Sequence, residues 1–251
     1  MNSRFTAYTG FLLICLGLIG CHTLQSVPAQ RESAMAALDY PFYDADSEIG
    51  FNLTYDTDSL HLRLTTRNRF AMLKILRTGL TVHFDTTGQA LPQRTAVQYP
   101  INLLAQPTRP EEAVGASDIG APMGIQPLVD QVPPKAVWMQ GGTTLAFQKK
   151  DRTSETPGLT VDWPFRVTLY SPDDISLAYH LAIPILAISP RGKAGLHTLA
   201  MGVESGAFAK PTSTQPVATP QGTRITPEQY QYGPGMGEPF RFWFVVDLSE
   251  S

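Results

Sequence analysis

The sequence predicts an all-β protein: two antiparallel sheets packed as a sandwich, with long Pro-rich loops and at most short helices. Three observations carry this. Apolar and polar residues alternate strictly in several runs, the first at residues 49–66. Turn formers punctuate them: 20 Gly and 21 Pro in 251 residues exceed the roughly 12% combined share of average chains. No stretch shows long helical periodicity, and short strands joined by turns build sandwiches or barrels.

The chain opens with Arg4, no acidic residue before it, and the apolar run "FLLICLGLIG" at residues 11–20. That run is half the roughly 20 residues a bilayer-spanning helix needs. A charged start and a short apolar core mark a secretory signal peptide. The run ends Leu18-Ile19-Gly20-Cys21, which resembles the lipobox of bacterial lipoproteins. The resemblance implies cleavage between Gly20 and Cys21, a diacylglycerol on the Cys21 sulfur and a third acyl chain on its amine. Two or more chains anchor stably. In Gram-negative lipoproteins of this kind Asp after the Cys favours inner-membrane retention. His22 stands there, so the expected address is the outer membrane. Cys15 falls inside the signal and Cys21 under lipid, leaving no thiol for catalysis, disulfides or metal.

Residues 21–40 read as a polar tether with a short helix over 32–38, and residues 41–251 as one sandwich domain. "IGFNLTYD" puts Ile49, Phe51, Leu53 and Tyr55 on one face. The turn "DTDS" follows, and "LHLRLTT" then alternates Leu60, Leu62 and Leu64 against His61 and Arg63. Two alternating runs around a polar turn form a hairpin. "RNRFAMLKILRTG" breaks the alternation, as one helical turn or an irregular loop ending at Gly79. "LTVHFDTTG" resumes it, with Leu80, Val82 and Phe84 inward and Asp85 and Gly88 closing the strand.

Residues 100–160 form a Pro-rich excursion in which only "AVWMQ" and "TTLAFQ" read as strands. "FRVTLYS", "SLAYHLAIP" and "HTLAMGVESG" follow as three more. A second excursion at 209–239 precedes the closing strand "FRFWFVVDL", whose Trp243 and Val245 predict cover on both faces. The layers expected are jelly-roll or immunoglobulin-like.

Three pieces, in order, resemble the sandwich of DOMON and family-9 carbohydrate-binding modules: "FNLTYDTDSLHLRLTT", "GLTVHFDTTG" and "LAYHLAIPILAI". In the third, the family's Glu position holds His180. More narrowly, "MLKILRTGLTVHFDTTG", "QYP", "IP" and "FRFWFVVDL" resemble a group of uncharacterised Bacteroidota lipoproteins or secreted proteins. The resemblance spans residues 45–248. It implies a sandwich that binds sugar, or haem in some DOMON members, without catalysis.

Several residues are weighed as sites. Asp44, Asp46, Glu48, Asp56 and Asp58 offer oxygens for Ca²⁺, with Asp56 and Asp58 the metal candidates, although turn chemistry explains them better. His61, His83, His180 and His197 fall on strands or strand starts, where two on adjacent strands would serve a metal or haem. No HxH or HExxH spacing supports this. A haem pair of His83 with Met72 or Met201 has nothing specific behind it. Among the aromatics Trp138, Trp163, Tyr230, Tyr232 and Trp243, the sugar-stacking candidates are Trp138, Tyr230 and Tyr232, with Trp243 assigned to the core. No GxSxG, SxxK, P-loop or GxGxxG motif is present. The net charge of −3 lacks the basic surplus of a nucleic-acid binder.

The expectation is a lipid-anchored, non-enzymatic binding module of the cell envelope, for glycan or another envelope ligand. The alternatives are a structural lipoprotein with a protein partner and a haem-binding electron-transfer domain. No cofactor is expected, and Ca²⁺ and haem stay as alternatives.

Overall fold

A computed structural model describes residues 24–32, 39–92, 95–101, 124–133, 135–141, 143–148, 159–162, 165–208, 217–218, 224–225 and 237–248. In chain order its elements are β1 (Gln25–Pro28), β2 (Gln30–Arg31), β3 (Phe42–Asp44), β4 (Ile49–Tyr55), β5 (Ser59–Thr66), helix α1 (Arg69–Thr78), β6 (Leu80–Asp85) and β7 (Thr95–Gln98). Then come α2 (Gln126–Asp130), β8 (Lys135–Gln140), β9 (Thr143–Gln148), β10 (Leu159–Asp162), β11 (Arg166–Tyr170), β12 (Leu177–Pro184) and α3 (Ile185–Ile188). The last are β13 (Ala200–Ser205), β14 (Val217–Ala218), β15 (Arg224–Ile225) and β16 (Arg241–Asp247).

Two large sheets result. The first runs β1-β16-β13-β6-β7-β8-β9; the second runs β10-β11-β12-β5-β4-β2, with β3 also on β4. The period-two residues meet between them, as the alternation requires. Phe51 of β4 stacks on Phe244 of β16 at 5.0 Å, and Trp138 of β8 meets Phe165, just before β11, at 5.9 Å. Leu60, Leu62, Leu64, Val82, Phe84, Met201, Val203 and Leu181 share this core. The expected sandwich is therefore present.

Three features differ from the reading of the sequence. First, part of the expected tether is sheet. β1 pairs with β16 and β2 with β4, both in parallel. Both sheets are thus mixed rather than wholly antiparallel. The short run "QSVPAQR" carries too few apolar residues to announce strands, yet Val27 and Ala29 are buried. Second, "RFAMLKILRT" is a ten-residue helix, longer than one turn. Asn68 caps its start, its side chain accepting from Phe70 N at 2.8 Å and Ala71 N at 3.1 Å. Gly79 ends it at φ 87°, a conformation that favours glycine. The helix carries the chain from one sheet to the other and adds Met72, Ile75 and Leu76 to the core. Third, Trp243 is half-buried, on the outer face of its sheet. Asp85 closes β6 as read, its carboxylate accepting from Thr87 N at 2.9 Å and Leu91 N at 3.0 Å.

Candidate functional site

The outer face of the β12-β5-β4 sheet is polar. Opposite the leucines of β5 stand His61, Arg63 and Thr65. Register sets His180 beside Arg63, and Arg63 beside Asn52. Another row runs from Ala178 through Thr65 to Gly50, with Tyr43 of β3 opposite Gly50. Four residues separate His61 from Thr65, about 13 Å along the strand. Two distinct constellations occupy the two ends of this face.

At the Thr65 end lies an open cleft of about 490 Å³. Tyr40 and Tyr43 wall one side; Arg67, Asn68 and Asp173 form the rim, and Glu48 and Thr66 also line it. Tyr43 is 59% exposed. Gly50 leaves room for Tyr40: an added Cβ would stand 3.4 Å from the Tyr40 Cβ and 3.3 Å from Thr65 Cγ2. Burial raises the Tyr40 hydroxyl pKa, helped by Tyr170 and opposed by Arg63. On the rim, Arg67 pairs with Asp173 at 3.1 Å. Asp173 is pinned by its own turn, accepting from Ser176 N at 2.8 Å and from the Ser176 hydroxyl. Those bonds, the hydroxyl first, hold its carboxyl below the usual range.

At the His61 end, titratable groups converge. His61 Nε2 lies 2.9 Å from Glu32 Oε2 and 3.0 Å from Asp56 Oδ2. Its Nδ1 lies 3.3 Å from His180 Nε2, and the two rings stack at 5.5 Å. Arg63 donates to Glu32 Oε1 and, at 2.9 Å, to the Thr54 hydroxyl. Burial pushes the His180 pKa down to about 4, aided by Arg63 and His61 and opposed by Glu32. Burial tends to raise the Asp56 carboxyl, but hydrogen bonds from His61 and from the backbone of Asp58 and Ser59 outweigh it.

The other residues singled out fall as follows. Trp138 is 5% exposed, in the core on β8, so it presents no open face to a sugar. The strand read from "AVWMQ" is present, and its alternation turns Trp138 inward, away from the sugar-stacking role expected of it. Gly20, Cys21, Trp163, Tyr230 and Tyr232 lie outside the described residues. The five acidic candidates split between two turns at opposite ends of β4, where Asp44 accepts from Ser47 N at 2.9 Å and Asp56 from Asp58 N at 2.8 Å. Asp58 is exposed and outside the Glu32–Asp56–His61 group. His197 is exposed in a turn. His83 lies on the outer face of its sheet, buried beside Trp243 and 3.2 Å from Glu204, whereas Met201 and Met72 are in the core between the sheets.

Sequence reasoning missed Tyr40, Tyr43 and Glu32. "DYPFYDADSE" was read for its acids, though its two tyrosines flank a Phe that packs inward on Phe51 at 5.5 Å. Among the described residues no helix is long and apolar enough to cross a membrane. Comparison with protein-family models, curated proteins and solved structures found no match.

Proposed function

We propose that the protein is a non-catalytic glycan-binding module of the cell envelope, lipid-anchored through Cys21, with the Tyr40–Tyr43 cleft as its binding site. The observation that carries this reading is the exposed Tyr43 ring at a cleft also lined by Glu48, Arg67, Asn68 and Asp173. A sugar ring offers apolar C–H patches to an aromatic face and hydroxyls to planar polar groups, and this cleft supplies both partners. Asp173 is already fixed by its turn, so its order does not have to be created on binding.

The test is titration calorimetry against glycans chosen from an array of envelope sugars. Tyr43→Ala should weaken binding at least about tenfold, the scale of losing one central aromatic contact of about 1.4 kcal/mol. Absence of glycan binding, or equal binding by Tyr43→Ala, overturns the reading. A protein partner is the second reading, and Ile175 favours it. It lies between the cleft residues Asp173 and Ser176 and is 61% exposed. In-cell cross-linking from position 175 that captures one defined envelope protein would support it.

The anchor has its own test. Cys21→Ser should end metabolic labelling by a fatty-acid analogue and release the protein from membranes; continued labelling refutes it. β1 begins at Gln25, four residues after Cys21. Four residues span at most about 14 Å, so a lipid on Cys21 would hold the sandwich close to the bilayer.

A further inference from the structure

We propose that Glu32, Asp56 and His61 bind one divalent transition ion of the zinc class. The three come from separate segments: Glu32 just after β2, Asp56 in the β4–β5 turn, His61 on β5. Their ligand atoms all lie within 4.8 Å of one another. His61 Nε2 faces two carboxylate oxygens, at 2.9 and 3.0 Å. One ring nitrogen carries at most one proton, so it cannot give each oxygen a full hydrogen bond. An ion among the three atoms satisfies all of them. Ligands about 2.0–2.2 Å from one ion stand roughly 2.8–3.6 Å apart for angles between 90° and tetrahedral, and the two spacings to His61 fall in that range.

Each ligand is also held from behind. Arg63 takes Glu32 Oε1, leaving Oε2 free to turn to the ion. The backbone amides of Asp58 and Ser59 take Asp56 Oδ1, at 2.8 and 2.7 Å, leaving Oδ2. His180 Nε2, 3.3 Å away, stands where the outer partner of a ligating histidine fixes its tautomer. Backing of this kind orients the ligands of metal sites and tunes their basicity.

One nitrogen and two carboxylates suit zinc-class ions; Ca²⁺ and Mg²⁺ prefer shells made only of oxygen. The side chains of Glu32 and Asp56 are 27% and 46% exposed, so water has access to complete the shell. This site stands apart from the aromatic cleft and does not depend on its ligand.

The experiment is calorimetry of the untagged full chain in detergent with ZnCl₂ and, separately, CaCl₂. Cobalt substitution gives a second readout. We expect one Zn²⁺ per chain, little heat with Ca²⁺, and visible Co²⁺ d–d bands. Asp56→Asn keeps a carbonyl oxygen for the two turn amides and should fold. It and Glu32→Gln should each weaken Zn²⁺ at least about tenfold, because losing a mere outer partner already costs 10–100-fold. Unchanged circular dichroism separates this loss from unfolding. Three results overturn the proposal: no 1:1 Zn²⁺ binding, Ca²⁺ bound as tightly as Zn²⁺, or both variants binding like the wild type.

Discussion

Gly202 on β13 sits between His83 on β6 and Trp243 on β16. The two rings stack across it at 5.7 Å and 21°. A Cβ at this glycine would lie 2.5, 2.6 and 2.7 Å from Trp243 Cε2, Cζ2 and Cδ2. Carbon atoms settle at about 3.5–4.0 Å, so Gly202→Ala must drive the indole back by roughly 1 Å. Overpacking of this kind costs about 1–3 kcal/mol. Ala in a strand regains about 0.5–1 kcal/mol over Gly. The net destabilisation is about 0–2.5 kcal/mol, or up to roughly 10 °C in Tm for a domain of this size. The assay is thermal and denaturant unfolding in a two-by-two cycle with Trp243→Ala. Without the indole, Gly202→Ala should be neutral or stabilising, giving a coupling of at least about 1 kcal/mol. An equal penalty in both backgrounds, or none in either, refutes the steric argument.

Two further predictions concern the same fold. Asn68→Ala removes the cap of α1 and should cost about 1 kcal/mol; Asn68→Asp keeps an accepting oxygen and should stay within a few tenths, by denaturant unfolding. For His83, burial lowers the pKa below 6.5, with Arg241 acting the same way and Glu204 opposing. Below pH 6.5 the unfolded chain therefore takes up a proton that the fold refuses, so stability falls as pH drops from 6.5 towards the folded value. His83→Gln should flatten that slope in unfolding free energies measured between pH 7 and pH 5, and an unchanged slope would assign it to other groups.

The strands were legible where one face is apolar and the other polar. Leu60, Leu62 and Leu64 alternate with His61 and Arg63, and such a pattern allows only one orientation of the strand. Helix α1 was ambiguous because Ala71 to Leu76 is buried nearly all round. A helix buried on every side shows no stripe; its signals were the cap Asn68 and the stop Gly79. The polar constellation was hidden for a different reason. His61 and His180 are 119 residues apart. Which strands become neighbours depends on the crossover of a sandwich, and local pattern does not encode that. The cleft was hidden because Tyr40 and Tyr43 straddle the assumed boundary between tether and domain.

The parallel seam of β1 and β16 sets Val27 against Val246. Among the described strands, the first to leave the ribosome is thus matched to the last. Local hairpins such as β4–β5 close over a few residues, whereas this seam must close a loop of nearly the whole chain, a slow and entropically costly event. It follows that a nascent or C-terminally clipped chain holds Val27 and its neighbours without their strand partner. That leaves an unmatched strand edge, which is a recruiting surface for aggregation. Folding of this protein should therefore be sensitive to loss of its final dozen residues out of proportion to their number, with proteases and chaperones meeting the open seam first.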